Sequence, residues 1–171
     1  ALGDASASGP LELTCQGPFR FDFTRFIASL QDDVRATLRN PGADPDQLYC
    51  RELRLHFGER DGSAAEIDPA DEPEIARRQG KLLSGMTPRL VEAVGAPVRF
   101  DSPSRQASVR GRRLRGWIAD RKIRIEGSPA LLAHGLSEAS APVLEYASPP
   151  AGSPQVVGDL LAAGPGWLKL T

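Results

Sequence analysis

The strongest chemical signal in this chain is a run of basic residues in its second half. Eight arginines and lysines lie between positions 105 and 124, with one acid, Asp120, among them. Guanidinium groups can hold a phosphate through two parallel hydrogen bonds, so this run is suited to phosphorylated groups. A solvated face that keeps strands from aggregating is the alternative. Across the chain 21 basic residues nearly balance 22 acidic ones, so no nucleic-acid partner is expected.

Residues that could support catalysis or bind a metal are sparse. His56 and His134 have no metal-ligand spacing to each other or to a cysteine, and we expect both on the surface. The acidic pair Asp32-Asp33 falls in a predicted turn. The sequence contains no serine-centred elbow, HExxH, Walker loop or dinucleotide GxGxxG. It therefore predicts a protein that is not an enzyme and carries no cofactor and no metal.

The two cysteines, Cys15 and Cys50, allow at most one disulfide bond. Each shares the strand parity of neighbouring leucines, which predicts two buried free thiols, since cysteine is a good small core residue. A disulfide between adjacent rungs, which needs an oxidising compartment, remains the alternative.

The elements that must position these residues are indicated by a 16-residue period. Gly95, Gly111 and Gly127 stand at equal intervals of 16 residues. Apolar residues four and two positions before each glycine have the period of a strand with one buried face. A glycine at the same phase of each unit predicts a bend or bulge in every strand. The pattern predicts an all-β stack of short strands with about 16 residues per rung.

The first half of the chain carries a looser version of this pattern. Phe19, Phe21 and Phe23 alternate as in a strand, and Asp32-Asp33 stand where later units have glycine. The missing initial Met and a C-terminus that ends within a strand pattern favour a fragment of a longer protein. The predicted organisation is a flexible leader, residues 1–10, followed by a single β module, residues 11–171. Within this module 11–57 form the first half, 58–87 an irregular or short-helical insertion, and 88–171 the second half. The final strand pair is expected between Val157 and Leu170.

Several segments of the second half together resemble one protein family. They are the strand into Gly95, the strand–Gly–Leu unit Val109 to Leu114, Trp117 to Ile125, Gly127-Ser128-Pro129, and the Ala-Pro-x-Leu-x-Tyr strand Ala141 to Tyr146. These segments resemble the OstA-like family of lipopolysaccharide-transport proteins, which includes LptA, LptC and the periplasmic part of LptD. The resemblance covers most of 11–57 and 88–171. It implies an open antiparallel β-jellyroll whose apolar interior holds acyl chains and whose edge strands join neighbouring modules across the periplasm.

A lipid groove of this kind would be lined by the inward-facing apolar residues. The predicted groove residues are Phe19, Phe21, Phe23, Leu30, Val34, Val91, Ala93, Val98, Phe100, Val109, Leu114, Ile123 and Ile125. Burying one acyl methylene contributes about 0.8 kcal/mol, so roughly a dozen methylenes would bind firmly. The same residues could equally form a packed core.

Headgroup phosphates would be contacted by a basic outer face. Its predicted residues are Arg110, Arg112, Arg113, Arg115, Lys122 and Arg124. Strand parity must flip near Gly111 for Leu114 to point inward, as a bulge would allow.

The leading interpretation is a non-catalytic envelope protein of the periplasm, acting in outer-membrane biogenesis. It would bind or conduct lipopolysaccharide-like lipid and join neighbouring β-jellyroll modules through edge strands. One alternative is a packed β-solenoid scaffold that polymerises end to end, and another is a sugar-binding jelly roll. A packed solenoid needs strict repeats throughout, which the first half and 58–87 lack, so the lipid groove is favoured.

Overall fold

The computed structural model describes residues 10–59, 86–149 and 158–170, and β-strands dominate them. One short 3-10 turn, Pro103–Arg105, joins the fifth and sixth strands. Within the described ranges, no helix has the length and apolar character to cross a bilayer. The strands are β1 Leu11–Thr14, β2 Phe19–Asp22, β3 Ile27–Leu38, β4 Asp46–Glu59, β5 Met86–Ser102, β6 Ala107–Trp117, β7 Lys122–His134, β8 Ser137–Ala147, β9 Asp159–Ala163 and β10 Trp167–Lys169.

All ten strands of the described residues belong to one open antiparallel sheet. Its order is β1-β3-β4-β5-β6-β7-β8-β10, with β2 beside β1 on β3 and β9 beside β10 on β8. The pair β1 and β2 therefore forms one edge of the sheet, and the pair β9 and β10 forms the other. This confirms the predicted open antiparallel β-jellyroll. A β-solenoid winds its strands in one direction, so the antiparallel pairing of successive strands argues against that alternative.

A line of bulges, which we call the corner, crosses the sheet and bends every long strand from β3 to β7. The pairing register shifts at one level in successive strands: between Gln31 and Val34, Tyr49 and Glu52, Val94 and Val98, Arg110 and Arg113, and Glu126 and Ala130. The predicted glycines of β5, β6 and β7 all lie at this corner. In β3 the corner is Asp32-Asp33, whose φ angles of 58° and 53° aspartate tolerates better than most residues.

The corner glycines are required by the close approach of neighbouring backbone. A Cβ atom at Gly111 would lie 2.7 Å from Cγ2 of Ile125 and 2.8 Å from the carbonyl oxygen of Glu126. At Gly127 it would lie 2.7 Å from the carbonyl oxygen of Pro129. Neither glycine has a positive φ, so the constraint is space and not backbone conformation.

The corner divides the sheet into two limbs that share one core. Limb 1 holds β2, β9 and the parts of the long strands at 27–31, 52–59, 86–94, 113–117, 122–126 and 143–147. Limb 2 holds β1, β10 and the parts at 34–38, 46–49, 98–102, 107–110, 130–134 and 137–141. Leu53 and Ile125 of limb 1 and Val98 and Val109 of limb 2 belong to one buried cluster. The strands from β3 to β8 are longer than expected because each continues through both limbs.

Other predicted segments are described only in part. β4 continues to Glu59 and β5 begins at Met86, so both ends of the predicted 58–87 insertion are strand. Residues 60–85, with the possible short helix, lie outside the described residues, as do positions 1–9 of the predicted leader. The strand pair predicted near the C-terminus is present as β9 and β10.

Both cysteines are free thiols. Cys50 is buried at the corner of β4, and Cys15 is half-buried where the first edge is interrupted. Burial raises the pKa of the Cys50 thiol to about 12, with a smaller contribution from the charge of Glu52.

Candidate functional site

The structure places most of the predicted groove residues on the inner face of the two limbs. Seven belong to the buried core: Leu30, Val34, Ala93, Val98, Val109, Leu114 and Ile125. Four more pack against that core: Phe21, Val91, Phe100 and Ile123. Phe19 and Phe23, at the β2 edge, are exposed. The inner face is therefore not lined uniformly from end to end.

Burial of the inner face falls steeply from the middle of the sheet to its edges. Phe19 pairs directly with Leu30, so both point to the same face, yet Phe19 is 61% exposed and Leu30 only 2%. At the other edge Leu168 pairs with Ala139, and their exposures are 60% and 4%. The middle of the inner face is thus a packed core, and both ends are open apolar surface.

Each open end also carries a strand edge without a sheet neighbour in the described chain. β1 and β2 pair with β3 alone, and β9 and β10 pair with β8 alone. Backbone donors and acceptors on the far side of such strands are available for another strand to pair with. Exposed apolar side chains beside a free edge suit strand addition from a second polypeptide.

The outer face of limb 1 is a charge ladder built across five strands. Its central row, in register from β4 to β8, is Arg54, Glu92, Arg115, Arg124 and Glu145. The Nε atom of Arg115 lies 3.3 Å from Oε1 of Glu92, and a terminal nitrogen of Arg124 lies 3.8 Å from Oε2 of Glu145. Such pairs near the surface contribute modestly, about 0–1 kcal/mol each.

This ladder engages four of the six predicted headgroup residues. Arg115 pairs with Glu92, as described above. A terminal nitrogen of Arg113 lies 3.8 Å from Oε2 of Glu126, and Nε of Arg124 lies 3.0 Å from Oε1 of the same residue. Nζ of Lys122 lies 2.5 Å from Oε1 of Glu145. Glu92 and Glu145 stand on neighbouring strands, and Glu126 stands on β7 just beyond the basic run, which is why the run looked unbalanced in sequence. The basic side chains of limb 1 are therefore largely neutralised by their neighbours.

Arg110 and Arg112 differ from the other four. The register shift between Arg110 and Arg113 makes both Arg112 and Arg113 point outward and turns Leu114 inward, as the predicted flip of parity required. Both Arg110 and Arg112 are exposed, and neither forms an ion pair with any residue in the described ranges. The predicted basic face is thus divided between a neutralised part on limb 1 and these two arginines.

Arg110 and Arg112 each line a hollow on the outer surface. Arg112 lines a hollow of about 620 Å³ at the corner, together with Asp33, Tyr49, Arg51 and the Gly95–Pro97 bulge. Arg110 lines a hollow of about 360 Å³ on limb 2, beside the exposed Trp167 of β10.

Both histidines lie at the surface, as expected, and His56 is on the outer face. Nε2 of His56 is 3.0 Å from Oε2 of Glu92, beside the charge ladder, and His134 is exposed at the end of β7. In the ranges 10–59, 86–149 and 158–170, no three His, Cys, Asp or Glu residues are grouped so as to hold a metal ion.

Comparison with known proteins identifies the fold. No family model matches this chain, and no curated protein sequence matches it. Among solved structures the chain is similar to LptH of Pseudomonas aeruginosa, described as the LptA-homologous periplasmic component of the conserved lipopolysaccharide transport device. The likeness covers 90% of this chain and 95% of LptH, with a TM-score of 0.52 and 13% sequence identity. The chain therefore has the LptA-like fold that its sequence resemblance implied.

Proposed function

We propose that this protein is a non-catalytic periplasmic module that binds lipopolysaccharide-like lipid and passes it to neighbouring β-jellyroll modules. The observation that carries the proposal is the open apolar surface at both ends of the inner face, each beside a free strand edge. The likeness to LptH supports it, because that protein is a periplasmic component of a lipopolysaccharide transport device.

The exposed ends are the part of the inner face that can accept an acyl chain without rearrangement. Leu160, Leu168 and Leu170 at the β9/β10 end, and Phe19 and Phe23 at the β2 end, offer apolar surface now in contact with water. Each methylene moved from water onto such surface contributes about 0.8 kcal/mol. A lipid that reached Val109 or Ile125 would first have to separate the two limbs, so binding begins at the ends.

Neighbouring modules are proposed to join where these ends meet. The β9/β10 edge of one module would pair with the β1/β2 edge of the next, which continues both the sheet and the apolar inner face. Two different surfaces meet in such a contact, so the assembly extends as an open chain and does not close on itself. Lipid would then move along one continuous apolar path.

The test uses two leucines of the same edge that point to opposite faces. Leu168 pairs with the buried Ala139 and points inward, whereas Leu161 pairs with Glu145 of the charge ladder and points outward. Native mass spectrometry of the protein mixed with rough lipopolysaccharide should show lipid adducts for the wild type and for Leu161→Asp. Leu168→Asp should lose most of the adduct while its circular dichroism spectrum stays unchanged.

Two results would contradict the proposal. One is a wild-type protein that carries no lipid adduct under these conditions. The other is equal adduct formation by both variants, which would mean that the inner face does not hold the acyl chains.

A further inference from the structure

The hollow beside Trp167 has the composition of a small-molecule site. It lies on the outer face of limb 2, has a volume of about 360 Å³, and is lined by Ser108, Arg110, Leu131, Leu132, Ala133, Glu138 and Trp167. Small-ligand sites in proteins span about 300–1,000 Å³. We propose that this hollow binds an anionic sugar, one that bears a phosphate or a carboxylate.

The shape of the hollow follows from two adjacent rows of the sheet. One row runs Ser108, Ala133, Glu138 across β6, β7 and β8, and the next runs Arg110, Leu131, Ser140, Trp167 from β6 to β10. The small side chain of Ala133 lies between Ser108 and Glu138, about 4.8 Å from each strand, and leaves a low floor. The larger side chains of the second row form the wall.

Each polar or aromatic group of the hollow matches one part of an anionic sugar. The indole of Trp167 is 50% exposed and offers a flat apolar face to the C–H groups of a pyranose ring. Arg110 has no ion-pair partner among the described residues, and its guanidinium presents parallel donors to a phosphate or carboxylate. The hydroxyl of Ser108 and the carboxylate of Glu138 can bond to ring hydroxyls.

The separation of the charges also orients the ligand. Arg110 stands on β6 and Glu138 on β8, in different rows, and no ion pair joins them. Glu138 has Lys169 of β10 as its direct cross-strand neighbour, whereas Arg110 has no acidic partner in its row from β6 to β10. An anionic substituent is therefore attracted to the Arg110 end, and Glu138 is left to accept hydroxyls at the other end. Inorganic phosphate would leave Trp167 unused, and a neutral sugar would leave Arg110 unused, so the combination selects a sugar with a negative charge.

The position of the hollow connects it to the inner face. Successive residues of β10 point to opposite faces, so Trp167 points outward into the hollow and Leu168 points inward at the open apolar end. A glycolipid crossing this edge would place an acyl chain against Leu168 and a charged sugar against Trp167. The identification of the natural ligand as such a glycolipid rests on the proposed function, whereas binding of the sugar itself does not.

The test follows ligand binding through the fluorescence of Trp167. Trp117→Phe leaves Trp167 as the sole tryptophan, because the chain contains two. The fluorescence of this protein is titrated at low salt with glucose 6-phosphate, glucuronate, glucose and inorganic phosphate. We expect saturable changes with the two anionic sugars and binding at least about tenfold weaker for glucose and for phosphate alone. Arg110→Gln should weaken the binding of the anionic sugars to the level of glucose. Arg20→Gln, which changes an exposed arginine of β2 at the far end of the sheet, should leave their binding unchanged.

A second arm separates this site from the proposed function. Dodecanoate, an acyl chain without a sugar, is added to the Trp117→Phe protein with and without Leu168→Asp, and its adducts are followed by native mass spectrometry. If dodecanoate binds in a Leu168-dependent manner but no anionic sugar binds, the sugar site is overturned and the proposed function stands. If glucose or inorganic phosphate binds as tightly as the anionic sugars, or Arg110→Gln has no effect, the sugar site is likewise overturned. If neither class of ligand binds, both proposals fail.

Discussion

The middle and the ends of the inner face use the same residue types for different purposes. Leu53 and Ile125 are fully buried, whereas Leu168 and Phe19 remain more than half exposed although they point to the same side of the sheet. The middle strands have a partner on each side, and the edge strands are short and have one. The position of a strand in the sheet, and not its apolar pattern, decides whether a leucine stabilises the fold or offers surface for binding.

The largest expected effect comes from the middle of the core. Ile125→Ala should lower the free energy of unfolding by about 2–5 kcal/mol, because it removes contacts from a fully buried side chain. Leu161→Ala, at a position that is 63% exposed, should change it by less than about 0.5 kcal/mol. Urea unfolding monitored by circular dichroism measures both. Similar losses of unfolding free energy in the two variants would show that the middle and the ends of the sheet contribute equally to stability.

A smaller effect is expected at the corner, where two glycines of β6 provide a matched pair. A Cβ at Gly111 would lie 2.7 Å from Cγ2 of Ile125, whereas at Gly116 its nearest neighbour would be Cγ2 of Ile123 at 3.8 Å. Gly111→Ala should therefore destabilise the protein by about 1–3 kcal/mol through overpacking. Gly116→Ala should be tolerated, since ordinary van der Waals contact is available there. A tolerated Gly111→Ala would show that the corner does not need close backbone approach at that point.

The two thiols differ in their chemistry, and the smallest effect on stability at neutral pH is expected for them. Cys50 is buried, so at pH 8 a thiol reagent such as DTNB should label Cys15 well before Cys50 in the folded protein. The Cys50 pKa is raised from 9.0 to about 12, so the neutral thiol contributes stability below pH 9. That contribution should be lost as pH rises from about 9 toward 12.

Cys50→Ala should flatten this part of the curve of stability against pH, and Cys15→Ala should leave it unchanged. Urea midpoints measured between pH 8 and 11 provide the comparison. An identical alkaline loss in all three proteins would assign it to other groups.

The corner was largely predictable from sequence, because its physical requirement is local. Neighbouring backbone comes so close there that glycine recurs at one phase, and Asp32-Asp33 occupies the equivalent place in β3 because aspartate tolerates positive φ. Strand parity likewise predicted which apolar side chains point inward. These features depend on a residue and its own strand.

Features that depend on neighbouring strands were not predictable in the same way. Parity places Phe19 on the inner face but does not show that no further strand covers it. The basic run looked unpaired because Glu92 and Glu145 are brought beside it only by the register of the sheet. Trp167 is far from Arg110 in sequence, and only the sheet brings the two side chains to one hollow. The strand spacing of Leu168 and Leu170 implied only that Trp167 points to the opposite face from these two leucines.

The order of the strands also has a consequence for how the chain folds. From β5 to β8 each strand pairs with the next one in sequence through a short turn, so every step closes a small loop at low entropic cost. Folding can therefore start as a hairpin within this block and grow one strand at a time, as in a repeat protein. The short edge strands have one partner and little buried surface, so they join last and open first. Hydrogen exchange should accordingly be slowest in β6 and β7 and fastest in β9 and β10.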